Sequence, residues 1–387
     1  MGWFYGDAPP EGKGCRAALH PTAPGVGNLV GLRCDVRFST AHAMMNDPVM
    51  MLSTTHATHA RRSGYGLLAE YVPGAKFIQA QRSDPPGGAR LFLARVARKF
   101  AFSRWYLGGS ASLEWQAWRE LRAGFRGVVH SMWADHDLGY LDLLLNRKRN
   151  PLCGTFHNCP GDFRHTIRFP SRLRKFAAII LMSECQRAFF LNAGVADERI
   201  HVVLHGVDTE HFTPAAPNDE QPFTVLSAGG YRRNFPLLRK ACERLAGAGD
   251  IHFEVVAPAD FRAMFEGMGN VRFSSGLSDA ELLAKYRSAS CLLHTAEQAT
   301  ANNVLVEALA CGVPVVAERV GGIPEYVNDD CALLAAPNDD AALADAIRQL
   351  ALSPAQRRSM AHAARERAGE LNWPKVAARM GGIYRAL

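Results

Sequence analysis

The chain has 387 residues, of which 48% are hydrophobic, and carries a net charge of +7, enough apolar material for about two or three domains. Nine cysteines occur with no CxxC pair or zinc-like spacing, which argues against a disulfide framework and for a reduced, cytosolic compartment. No apolar run approaches the ~20 residues of a membrane span, so a soluble or peripheral protein is expected, and the charge favours acidic ligands or an anionic surface without any nucleic-acid motif.

Residues 1–48 are rich in Gly and Pro and lack periodicity; they read as a poorly ordered extension, with Met44, Met45, Met50 and Met51 at its boundary suggesting an upstream start. A strand then begins in "PVMMLSTT". Short apolar strands alternate with helix-length segments from there: "KFIQAQ", "GVVHSM", "LCGTFH", "AAIILM" and "IHVVLH", then "FTVLSAG", "IHFEVVA", "SCLLHTA", "VPVVAE" and "CALLAA". This alternation implies parallel sheets covered on both faces. The stretch 213–222, "TPAAPNDEQP", has linker character. The expected fold class is therefore α/β, with two doubly wound Rossmann-like domains, 49–212 and 223–370, facing each other across a cleft. Ligands of such sheets sit beyond the carboxyl ends of the strands.

The loops at those ends carry the candidate residues. "RRSGYG" follows the first strand, where Gly64 and Gly66 either let the backbone approach a ligand or serve an ordinary turn. "CGTFHNCPGDF" places His157 at a strand end, a position that suits either a structural or a reactive histidine; His130 and His136 are lesser candidates. "SAGGYRRNFPLL" follows the first strand of the second domain, with Gly229 and Gly230 permitting close approach and Arg232 and Arg233 able to pair with a phosphate. "ATANNVLVEALACGVPVVAE" predicts a short buried helix over 304–311, capped by Asn302 or Asn303 and stopped by Gly312. Glu307 sits one turn into it and either neutralises the helix dipole or grips something in the cleft. Residues 90–107 combine five basic residues with aromatics and no acid, which fits a partly buried helix or a contact with an anionic membrane surface.

Three ordered segments carry a resemblance. "GVDTEHF" leading into the linker, "NNVLVEALACGVPVVAERVGGIPEYV", and the terminal "NWPKVAARMGGIYRAL" are similar to the crossing segment, donor-binding helix and return helix of retaining glycosyltransferases of the GT-B fold, the large bacterial mannosyl-, glucosyl- and galactosyltransferase family. The resemblance covers about residues 50–387. It implies transfer of a hexose from a UDP- or GDP-linked nucleotide sugar to a glycan or lipid-linked acceptor, with no metal cofactor and a final helix, 371–387, that packs back on the first domain. It assigns Glu307 to the donor ribose, His157 and Arg233 to catalysis, and Gly229, Gly230, Arg232, Asn302 and Asn303 to the donor. Gly64 and Gly66 fall in the family's first glycine-rich loop. One position departs from the pattern: the glutamate usual eight residues before Glu307 is here Ala299, with Glu297 two residues earlier. That departure keeps a non-catalytic nucleotide-sugar-binding or scaffold protein open as an alternative, beside a nucleotide-sugar epimerase.

Overall fold

The computed structural model describes residues 48–55, 62–81, 98–106, 108–216 and 222–387. The extension expected over 1–48, residues 90–97 and 107 of the basic segment, and 217–221 of the linker thus lie almost wholly outside the described residues.

The first sheet holds six parallel strands, β1 (Val49–Thr55), β2 (Lys76–Gln81), β3 (Val128–Ser131), β4 (Leu152–Phe156), β5 (Ala178–Leu181) and β6 (Ile200–Val202), in the order β2-β1-β3-β4-β5-β6. The second holds β7 (Phe223–Ala228), β8 (Ile251–Val256), β9 (Val271–Ser274), β10 (Cys291–His294), β11 (Val315–Glu318) and β12 (Ala332–Ala335), in the order β12-β11-β10-β7-β8-β9. Most of the inner strands are buried apolar runs because helices cover both faces. In β1, Met50 and Leu52 enter one core while Val49 and Met51 enter the other, the two-residue period of a strand buried on both sides. The strand order reverses between β1 and β3 and between β7 and β10. Both reversals open crevices at the carboxyl ends, and the two crevices face each other.

Strand β9 is not among the sequence-predicted strands. It lies at the sheet edge, and its four residues are only partly buried or exposed, so it lacks the apolar run that marks the inner strands. The terminal helix, Trp373–Arg385, begins at Asn372, whose side chain accepts the Lys375 amide at 3.0 Å. It leaves the second domain and buries Trp373, Val376, Met380 and Tyr384 in the core of the first beside Val49 and Met51. Tyr384 O–H lies 2.7 Å from Nδ1 of His130, whose Nε2 lies 2.8 Å from Thr155 Oγ1, so His130 is a buried strut behind the sheet. Of the described part of the 90–107 segment, Phe102 is fully buried and Trp105 packs on His136 with ring centroids 4.6 Å apart. Phe102 therefore belongs to the core, whereas Trp105 is half-buried.

Candidate functional site

Between the two sheets lies a cavity of about 690 Å³, lined from both domains by the loops that follow β1, β3, β4, β7 and β10. The second domain supplies its charged floor. The helix Asn303–Ala310 starts after Asn302, whose side chain accepts the Leu305 amide at 3.3 Å, and ends before Gly312, whose φ of +69° suits the turn that closes it. The helix N-terminus points at the cavity. Amides there with no intrahelical acceptor favour an anion.

Glu307 is buried on this helix. Its Oε2 accepts the hydroxyl of Tyr286 at 2.8 Å, and its Oε1 accepts the hydroxyl of Ser63 from the opposite domain. Asn303 Nδ2 donates to the same Ser63 oxygen at 3.1 Å. Burial pushes the Glu307 carboxyl above its ordinary range, while the Ser63 and Tyr286 hydrogen bonds oppose that shift. Held this way in the cavity wall, the carboxylate faces hydroxyl donors from both domains. Two hydroxyls already converge on it, which is the geometry a vicinal diol would offer.

Arg233 is buried beside it. Its Nε donates to Ala228 O at 3.0 Å and a terminal nitrogen donates to Asn302 Oδ1 at 3.1 Å; no carboxylate lies within ion-pair distance among the described residues. Burial lowers its pKa to about 10, so the guanidinium stays charged at neutral pH. A buried cation balanced only by carbonyl oxygens favours an incoming anion. Gly229 makes this placement feasible. Its φ is +100°, and a Cβ there would come within 2.8 Å of the Arg233 guanidinium. Gly230 contributes its carbonyl to the Arg233 amide at 3.3 Å.

Arg232 is placed differently from Arg233. It pairs with Asp162 across the cleft and lies 3.8 Å from Glu297, and its backbone sits at a φ of +54°. Tyr231 O–H adds a bond to Asp162 at 3.1 Å. Glu297 is therefore turned to Arg232, and Ala299 stands in the cavity wall with its carbonyl accepting the Gly322 amide at 2.9 Å.

From the first domain, His157 enters at the end of β4. Its ring stacks on Trp133 with centroids 3.7 Å apart and meets the edge of Tyr65 at 4.9 Å. Both ring nitrogens are shielded from solvent and have no hydrogen-bond partner among the described residues. Burial first, and neighbouring histidines second, hold its pKa well below the ordinary value, so the ring is neutral. Asp135 fixes the backbone here by accepting the amides of His157 and Asn158, each at 2.8 Å. The His157 carbonyl accepts Thr300 Oγ1 at 2.6 Å from the other domain. His136 also lines the cavity, with Nε2 3.3 Å from Asn158 Oδ1. Gly64 turns the chain at φ +101°, whereas Gly66 has no positive φ and open space where a Cβ would stand.

The structure thus brings His157, Gly64, Gly66, Gly229, Gly230, Arg232, Arg233, Asn302, Asn303 and Glu307 to one cavity. Sequence reasoning missed Ser63, Asp135, Asp162 and Tyr286. Ser63 lay inside a loop singled out for its glycines, and Asp135 stood next to a histidine that drew attention first; Tyr286 carries no local signal. Among the described residues no three His, Cys, Asp or Glu side chains are grouped to hold a metal, and no helix is long and apolar enough to cross a membrane.

Comparison with known proteins adds three kinds of finding. The family model described as Glycosyl transferases group 1 matches residues 222–353, and that of Glycosyltransferase Family 4 matches 76–211. A D-inositol 3-phosphate glycosyltransferase of Actinosynnema mirum is 33% identical over 412 aligned positions, taking in 93% of each chain. An MMP alpha-(1->4)-mannosyltransferase of Mycolicibacterium hassiacum is 33% identical over 201 residues, so the chain spans about half of that relative, 49%. Among solved structures, HepE of Anabaena in complex with UDP superposes with a TM-score of 0.64 at 16% identity, covering 88% of this chain and 100% of that one. At that identity the likeness speaks for the shared fold.

Proposed function

Because the chain belongs to the group 1 glycosyltransferases and has their GT-B fold, we propose that it moves a hexose from a UDP- or GDP-linked sugar to a glycan or lipid-linked acceptor at the cytoplasmic face, with retention of anomeric configuration. The observation that carries this reading is Arg233. It is a buried, charged guanidinium with no carboxylate partner among the described residues, set in the same cavity as Glu307 and a helix N-terminus.

In this reading the ribose diol displaces Ser63 from Glu307 while Tyr286 keeps the second oxygen fixed. The diphosphate lies against Arg233 and the first amides of helix Asn303–Ala310, whose positive potential offsets the charge that grows as the leaving group departs. These groups do the work for which a divalent cation would otherwise be needed, so the reading calls for no metal cofactor. The sugar reaches the first domain, where the neutral His157 ring accepts a hydrogen bond from a sugar hydroxyl. The acceptor oxygen bonds to the anomeric carbon on the face from which the diphosphate leaves; the carbon–phosphate-oxygen bond breaks, and the departing oxygen takes the acceptor proton.

A second reading, a non-catalytic nucleotide-sugar-binding protein, is favoured by one observation: Ala299 offers the donor sugar no carboxylate, and Glu297 is turned to Arg232. A thermal-shift panel of UDP- and GDP-sugars tests donor binding, because a ligand that binds the folded state raises its melting temperature. Stabilisation by a nucleotide sugar and its diphosphate, but not by the free sugar, is expected. No response to any member would reject both readings.

A further inference from the structure

The wall of the cavity that faces Ala299 holds an unused hydrogen-bond donor. Of the nine buried side-chain nitrogen and oxygen atoms without a hydrogen-bond partner among the described residues, four belong to Asp135, His157 and Asn158, so the shortfall gathers at this end of the cavity instead of spreading through the cores. Buried polar atoms are otherwise paired almost without exception, because an unpaired one has left water with no replacement. His157 is already placed against the transferred sugar, which leaves Asn158 Nδ2 to be accounted for. Asn158 is 4% exposed and lines the cavity, and the rest of the residue is held fast. Its amide donates to Asp135 Oδ2 at 2.8 Å, its carbonyl accepts Gln186 Nε2 at 2.9 Å, and its Oδ1 lies 3.3 Å from His136 Nε2. Burial lowers the His136 pKa to about 3, so the neutral ring gives an Nε2 proton to Oδ1 and leaves Nδ2 for the cavity.

The stretch that carries Asn158 runs opposite the loop after β10 in the second domain. Thr300 Oγ1 donates to His157 O at 2.6 Å, and a Cβ on Gly161 would stand 3.7 Å from the side-chain amide of Gln298. Asn158 lies between His157 and Gly161 in the chain, and Ala299 lies between Gln298 and Thr300, so the two residues face each other across the cavity. On the Ala299 side the wall is a methyl group, and Glu297 is turned to Arg232. We propose that Asn158 holds the transferred hexose by donating an Nδ2 hydrogen to one of its hydroxyl oxygens, and so supplies from the first domain the polar contact that the second domain lacks at Ala299. The inference rests on the nucleotide-sugar reading and refines it. A carboxylate at position 299 would accept hydrogens from sugar hydroxyls, whereas an amide nitrogen only donates. With the neutral His157 ring accepting beside it, the hexose meets one acceptor and one donor from consecutive residues, which fixes its orientation. Selection of the sugar in this chain is thereby a property of the first domain, separate from the diphosphate site at Arg233.

The test compares, by calorimetric titration of the full chain, the binding of UDP-glucose and UDP-galactose with that of UDP, and of GDP-mannose with that of GDP. Wild type is expected to bind one nucleotide sugar more tightly than its diphosphate. Asn158→Ala should cut that advantage about two- to tenfold, the range of one neutral hydrogen bond, with affinity for the diphosphate unchanged. Replacing the hydroxyls of the bound sugar one at a time by hydrogen or fluorine tests the same contact without altering the protein. Fluorine accepts a hydrogen bond but cannot donate one, so at one ring position the fluoro donor should bind wild type better than the deoxy donor, and that preference should vanish in Asn158→Ala. A sugar that keeps its full advantage in the variant overturns the assignment. So does a series in which no fluoro analogue outbinds its deoxy counterpart, because the sugar is then held by protein acceptors alone. A wild type that binds a diphosphate but gains nothing from any attached sugar also overturns it and leaves the Arg233 site standing. Failure of wild type to bind either diphosphate removes the nucleotide-sugar reading itself, and this inference with it.

Discussion

Replacing Glu307 by Gln separates a ligand-gripping acid from a structural one. The amide is isosteric and its oxygen can still accept Tyr286 O–H, which lies 2.8 Å from the carboxylate, while its NH₂ faces Ser63. The fold should therefore tolerate the change. What is lost is a charged acceptor for the donor diol, about 1.5–3 kcal/mol for one hydrogen bond to a charged group, or roughly 10- to 150-fold in Kd. The empty protein should respond in the opposite sense. Burial raises the Glu307 carboxyl pKa, so this group stabilises the fold while protonated and loses that contribution as pH rises through its folded value. The Gln variant is held in the neutral state. Its melting temperature should match or exceed that of wild type at neutral pH, and the difference should fade in acid. Calorimetric titration with nucleoside diphosphate, run beside thermal melts at several pH values, reads both quantities. Unchanged affinity with a lowered melting temperature at neutral pH would refute the argument and return Glu307 to a helix-dipole role.

Three further outcomes follow from neighbouring groups. Arg233→Met should weaken nucleoside diphosphate binding by about 1.5–3 kcal/mol while leaving the free nucleoside nearly unaffected; equal losses in the two titrations would remove Arg233 from the phosphates. His157→Ala should lower turnover at least about tenfold with little change in diphosphate affinity. Because its ring is held neutral, the wild-type pH–rate profile should show no inflection in the usual histidine range, and such an inflection, lost in the variant, would contradict that state. Tyr286→Phe should weaken nucleotide binding and couple to Glu307→Gln in a double-mutant cycle, whereas additive losses would mean that the tyrosine does not act through the carboxylate.

The sheets were readable because most of their strands are buried on both faces. Runs such as "AAIILM" and "VPVVAE" have no competing interpretation once helix-length segments separate them. β9 escaped because an edge strand with exposed residues carries no such run. The helix bearing Glu307 was legible to within one residue from its asparagines and its glycine, but the state of the acid was not. That state is set by Tyr286, 21 positions away, and by Ser63, 244 positions away, and neither distance leaves a local trace. The residue pattern of "GGYRRN" does not separate its two arginines, and only the family resemblance ranked Arg233 apart from Arg232. Asp162, 70 positions earlier, distinguishes them by claiming Arg232 and leaving Arg233 to the cavity.

The central claim is that this cavity holds a nucleotide sugar and transfers its hexose with retention. Proton NMR of the protein incubated with UDP- and GDP-hexoses tests it most directly, since water can serve as a slow acceptor when the native one is absent. The account predicts loss of one donor's anomeric signal, release of its nucleoside diphosphate, and first appearance of free sugar in the donor's own anomeric configuration, all suppressed by His157→Ala. A first-formed sugar of inverted configuration would contradict the proposed chemistry. A donor that binds, by thermal shift, yet is never consumed would make the protein a nucleotide-sugar-binding member of its family.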